Sequence, residues 1–204
     1  MSNKLTELIL SAVAGALILT FALGLLPTVR FDSERIFVYV HPTHIVVVGE
    51  YDYRNVLPLP VGQALACPFK TDKTHPLPEV CVVEDLSSEK PLVSYDLPAS
   101  RGFLVPFFPF EKKTIRVTYS QRCGVPSGQY ILLTTHPWGN SLKYGMYRMI
   151  ECDTKIVGSN YALSSNNSGL LSFERSDFMP DRDWAFRWAI ARHYKTMRMS
   201  QIGK

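Results

Sequence analysis

The stretch "KKTIRVTYSQ", Lys112–Gln121, decides the fold class. Ile115, Val117 and Tyr119 fall on one side of an extended chain, and Thr114, Arg116, Thr118 and Ser120 on the other. That period of two belongs to a strand with one buried face. "CGVPSGQ" (123–129) turns the chain and "QYILLTT" (129–135) returns it, so the spacing predicts an antiparallel pair.

Upstream, "IFVYV" (36–40) and "HIVVVGEYDYRN" (44–55) read as two more strands. In the second, Gly49, Tyr51 and Tyr53 face one way and Glu50, Asp52 and Arg54 the other. "QALACPF" (63–69), "EVCVVED" (79–85) and "KPLVSYDL" (90–97) are shorter candidates. "GFLVPFFPF" (102–110) is apolar, but Pro106 and Pro109 predict an edge or a bulge. Downstream, "LKYGMYRMIEC" (142–152) predicts a strand with a bulge at Gly145, and "LLSF" (170–173) another strand. Short strands, regular turns and 14 prolines in 204 residues predict a mainly β chain, an antiparallel β-sandwich over residues 30–180.

The two ends differ from this middle. "LILSAVAGALILTFALGLL" (8–26) holds no charge and no proline. As a helix it would reach about 28 Å, close to the ~30 Å of a hydrocarbon core. It predicts a single N-terminal transmembrane helix within an anchor of residues 1–29. Gly15, Ala16, Ala22 and Gly24 would allow close helix contact in lipid. A cleaved export signal is the alternative, with Ala22–Gly24 as its small-residue site; the adjoining Glu7 and the length of the run favour the anchor. Lys4 precedes the run, and Arg30 and Arg35 follow it beside Asp32 and Glu34, a weak asymmetry that slightly favours the opposite orientation; a long C-terminal domain can nonetheless be translocated regardless of a few flanking charges. The expected location is therefore the inner membrane, with the bulk of the chain periplasmic.

At the other end, Pro180 and Asp181 or Asp183 are helix-start signals. Trp184, Trp188 and Ala191 then share a helical face, and six Lys/Arg stand against two Asp from Asp181 onward. Residues 181–204 thus predict a short basic, aromatic C-terminal helix or tail. Tryptophan and arginine are enriched in interface hot spots. Trp138, Trp184, Arg187, Trp188 and Arg192 are the predicted partner or membrane contacts, with Gly15 inside the bilayer.

The chemistry is sparse. Cys67, Cys81, Cys123 and Cys152 form no CxxC. Their even number is compatible with two disulfides, predicted as Cys67–Cys81 and Cys123–Cys152; the alternative is four thiols acting as small hydrophobes. No GxSxG, P-loop or GxGxxG is present, so no catalytic residue and no cofactor is predicted. His41 and His44 of "HPTH" would point to opposite faces of a strand, so joint metal binding needs a turn there, and no metal is assigned. A net charge of +4 is too small to indicate a nucleic-acid partner.

The order "VYVHPTHIVVVGEYDYRN", then "CPF", "FLVPFFPFEKKTIRVTYSQ" and "YILLTTHPWGNSLKYGMYR" resembles the β-sandwich of vault/inter-alpha-trypsin-like domains, in versions found in bacterial envelope proteins. The resemblance covers roughly residues 35–150. It implies a sandwich that works as an interaction module, and it brings no catalytic residues. The expected function is a single-pass accessory or scaffolding subunit. Its partners would be the lipid bilayer and other subunits of a respiratory, photosynthetic or transport complex. The alternatives are a free-standing envelope binding or sensing protein and an envelope enzyme.

Overall fold

The computed structural model describes residues 28–166 and 170–191. The chain runs through β1 (Val29–Val40), β2 (His44–Asn55), β3 (Val61–Pro68), β4 (Val80–Asp85), β5 (Lys90–Pro91), β6 (Ser94–Leu97), β7 (Ser100–Phe107), β8 (Lys112–Arg122) and β9 (Ser127–Tyr130). A 3-10 turn at Leu133–Trp138 follows. Then come β10 (Leu142–Glu151), β11 (Thr154–Ser159), β12 (Ser164–Ser165), β13 (Leu171–Phe178) and β14 (Trp184–Ile190).

Eight strands form one large sheet in the order β12-β13-β10-β1-β2-β8-β4-β5. Two smaller sheets, β11-β14-β9 and β3-β7-β6, share the covering layer. The alternation read from the sequence holds: Tyr51, Tyr53, Ile115, Val117 and Tyr119 are all buried, on the covered face. The opposite face carries a charge ladder in which Arg35 bridges Glu50 and Asp52, and Arg116 reaches Glu50. One face sheds water and the other keeps it, so the sheet is covered on one side.

The sheet is mixed rather than purely antiparallel. β1 pairs with β10 in parallel, from Ser33↔Tyr144 to Val40↔Glu151. A parallel pair needs a long crossover, and the whole of β2–β9 intervenes to supply one. β8 does not pair with β9, because β2 and β4 occupy both of its edges. β9 crosses to the covering layer and pairs with β14. β7 lies between β3 and β6, not at an edge; Pro106 falls beyond the stretch that β6 covers. The register runs unbroken through Gly145, while a bulge falls between Phe31 and Ser33.

Trp184–Ile190 is a strand, where a helix was expected. A spacing of four residues is even, so it suits a strand face as well as a helix face. Trp184, Phe186 and Trp188 all point into the core and are buried, whereas Arg187 faces out. Trp184 packs edge-on against Phe173 and Tyr147 of the large sheet. These tryptophans therefore hold the two layers together and are not surface contacts. The remaining tail, with Arg192, lies outside the described residues.

All four cysteines are free thiols. Cys123 and Cys152 follow β8 and β10, with β1 and β2 between them. Three strand spacings come to about 14 Å, beyond the ~7 Å limit between bridged Cα atoms. Cys67 and Cys81 stand on strands of different layers, close enough to influence each other's ionisation but unbridged. Among the described residues no helix is long and apolar enough to cross a membrane; the apolar run 8–26, with Gly15, lies outside them.

Candidate functional site

The bulge in β1 reverses the inside–outside parity of that strand. Phe31 points in; after the extra residue Asp32, Glu34, Ile36, Val38 and Val40 point in as well. Glu34 is thereby placed on the covered face, only 3% exposed. Two tyrosines satisfy it. The Tyr147 hydroxyl donates to Oε1, and the Tyr130 hydroxyl, 3.5 Å away, donates to Oε2. Tyr51 stands 2.8 Å from the Tyr130 hydroxyl and extends the chain of hydrogen bonds.

These tyrosines come from three strands in both layers: Tyr51 from β2, Tyr147 from β10 and Tyr130 from β9. Burial pushes the Glu34 carboxyl up to about 7, against the two tyrosine hydrogen bonds that favour its ionised form. The tyrosines themselves are pushed up by burial and by the nearby Glu34. Cys67 is pushed up to about 12, also chiefly by burial.

The covering layer is split where β3 and β9 face each other, since each pairs with a single neighbour and presents a free edge. A cavity of about 370 Å³ opens in the split. Glu34, Tyr51 and Tyr130 line it, together with Leu65 and Cys67 of β3 and Trp138 of the 3-10 turn. Phe31, Tyr53 and Trp138 form an aromatic cluster along one wall, with ring centroids 5.0–5.8 Å apart. The Tyr53 ring is buried, and its hydroxyl makes no hydrogen bond to any described residue.

Of the predicted contact residues that are described, Trp138 alone lines this cavity. Arg187 lies on the outer side of β14, beside Gly158. The expected separation of His41 and His44 gives way to a turn that stacks their rings face to face at 4.3 Å. In parallel planes their nitrogens do not converge on one ion. Sequence reasoning missed Glu34, because the strand was started at Ile36 and Glu34 was read among flanking charges. Its even spacing to Ile36, Val38 and Val40 was the available signal.

No protein-family model and no curated protein matches the sequence. Solved structures are similar in fold. A candidate nutrient binding protein of Legionella pneumophila superposes with a TM-score of 0.61 at 14% identity, over 79% of this chain and 67% of that one. An M1 zinc metallopeptidase of Deinococcus radiodurans gives 0.45 at 8% identity, over 79% of this chain and 43% of that one. A mutant of that enzyme bound to a Tyr-Ser-Ala substrate gives 0.47 at 8% identity, over 78% and 42%. The chain thus spans less than half of the peptidase. At these identities the likeness is one of fold alone.

Proposed function

We propose that this chain is a small-molecule binding module held at a membrane, with the Glu34 cavity as its binding site. The observation that carries the reading is a buried carboxylate lining an aromatic cavity, at a break between two sheets. Ligand sites are concave, mostly apolar and about 300–1,000 Å³, with a few placed polar groups, and this cavity has that character. The fold likeness to a candidate nutrient binding protein accords with a binding role. The tether is the apolar run 8–26 read as an anchor.

Thermal unfolding of the full chain in detergent, screened against a small-molecule fragment set, tests the reading. Hits should raise the unfolding temperature and change Trp138 fluorescence. They should be lost in Leu65→Trp, which fills the cavity. Hits that bind Leu65→Trp as well as the parent would place the site elsewhere.

A second reading, the accessory subunit, draws on another surface. On the outer side of the sheet β3-β7-β6, Tyr95, Leu97 and Leu104 are exposed around the small Gly62, Ala64 and Gly102. An exposed apolar face of this kind suits a protein partner. Stoichiometric co-purification that is lost in Leu104→Asp would favour it.

A further inference from the structure

We infer that the cavity takes a small organic cation, an amine on an apolar body, with the Glu34 carboxylate as its counter-charge and the Phe31–Tyr53–Trp138 cluster as its aromatic wall. The inference rests on the binding reading above and narrows it to one ligand class. Among the described residues, no lysine, arginine or histidine lines the cavity or hydrogen-bonds Glu34; its hydrogen-bond partners are Tyr130 and Tyr147, and the other polar side chains of the lining are Tyr51, Tyr53, Cys67, Gln63 and Thr134. A buried carboxylate without a counter-charge is costly to ionise, and an entering cation supplies what the protein lacks. Aromatic faces attract cations through their quadrupoles, most strongly when water is excluded. The Tyr53 hydroxyl, which makes no hydrogen bond to a described residue, adds an oxygen that can accept from an ammonium N–H. An anion would meet Glu34 as a like charge, and a neutral ligand would leave it uncompensated.

A pH signature follows. The titratable groups facing Glu34 are Tyr51 and Tyr53 on β2, Cys67 on β3, Tyr130 on β9 and Tyr147 on β10. All are raised above their ordinary values, so they stay neutral through the physiological range. Among these groups Glu34 alone titrates there, its carboxyl raised to about 7 by burial. Cation binding therefore competes with a proton on Glu34 and weakens as pH falls below that value.

Three probes of one shape and different charge test this on the full chain in detergent: phenethylamine, 2-phenylethanol and phenylacetate. At pH 8 the amine should bind at least about tenfold more tightly than the alcohol, with the anion weakest. Between pH 8 and pH 6 the amine should lose about tenfold in affinity while the alcohol is unchanged. Titration calorimetry of the parent protein in two buffers of different ionisation enthalpy should register proton release near pH 7. Glu34→Gln should remove both the charge preference and the pH dependence; the calorimetry still decides if that variant does not fold. Alcohol or phenylacetate binding as tightly as the amine would overturn the cation assignment and leave the binding reading standing. Absence of saturable binding by all three, with no fragment hit in the Leu65→Trp comparison, would overturn both.

Discussion

A methyl group added at Gly145 would lie 2.7 Å from the hydroxyl of Tyr147, two residues along the same strand. The bare backbone at Gly145 is what lets that ring lie flat on the sheet and reach Glu34. Gly49 does the same for Tyr51, whose hydroxyl an added Cβ would overlap. The Tyr147 ring cannot simply step aside, because it is fully buried and stacked on Phe173 at 4.4 Å. Gly145→Ala and Gly49→Ala should each destabilise the domain by about 1–3 kcal/mol through overpacking. Chemical denaturation midpoints check this. A neighbouring exposed control, Lys143→Ala, should change stability by less than about 0.5 kcal/mol.

Glu34 makes stability depend on pH in an unusual direction. Its folded value is raised to about 7 while the unfolded chain titrates near the ordinary 4.5. The folded state holds the proton more tightly, so the contribution is fully present below about 4.5. It is lost as pH rises from there through about 7, and the amount is on the order of 3 kcal/mol. Glu34→Gln, which cannot ionise, should flatten this slope and gain relative to the parent above pH 7. Unfolding free energies at pH 5, 6, 7 and 8 for both proteins measure it. Parallel curves would mean that the carboxyl does not titrate in that window.

Asn55 is fully buried and clasps two loops. Its amide nitrogen donates to the carbonyls of Leu59 and Phe108, and its Oδ1 accepts from the Leu57 N–H. Asn55→Ala strands these groups without giving water access, so a loss of about 2–4 kcal/mol is expected. Asn55→Asp should also be destabilising, since a carboxylate would face two carbonyls. Loss of amide-exchange protection in both loops at once would confirm the clasp.

The free thiols carry a prediction of their own. Burial pushes Cys67 up to about 12 and Cys123 up to about 11, so neither forms appreciable thiolate at neutral pH. Native protein should react with a thiol-directed reagent at these two positions far more slowly than unfolded protein, by at least about a hundredfold. Mapping by mass spectrometry after brief labelling distinguishes them from the less buried Cys81 and Cys152.

The strands were legible because alternation is local: Ile115, Val117 and Tyr119 report their buried face from spacing alone. Strand partners were not, because pairing depends on what else claims an edge. "CGVPSGQ" looks like a hairpin turn, yet β8 already has β2 and β4 beside it. Trp184 and Trp188 were legible as an apolar pair but not as a strand, since a four-residue spacing fits both periods. The site was hidden by one residue. Asp32 shifts the parity of β1, and only with that bulge known does Glu34 turn from a flanking charge into the floor of a cavity.

The end of the domain that holds Thr28 carries the last prediction. The Thr28 carbonyl accepts from Val56, Asn55 N–H donates to Glu111, and Phe110 N–H donates to Leu57. The loops 56–60 and 108–111 therefore flank the point where the chain arrives from residue 27. They hold Phe108 and Phe110 outward, 72% and 62% exposed, with Leu59 beside them. Phe110 adopts a φ of 57°, a backbone state costly for an aromatic residue, kept here by its hydrogen bond to Leu57. On the tethered reading Leu26 is two residues from Thr28, at most about 7 Å, so these rings would meet the lipid headgroups. In the full chain reconstituted into liposomes, a tryptophan at Phe108→Trp should be quenched by brominated lipid. One at Val125→Trp, past the opposite end of β8, should not be. Equal quenching at the two positions, measured against the parent's own three tryptophans, would separate this end of the domain from the bilayer.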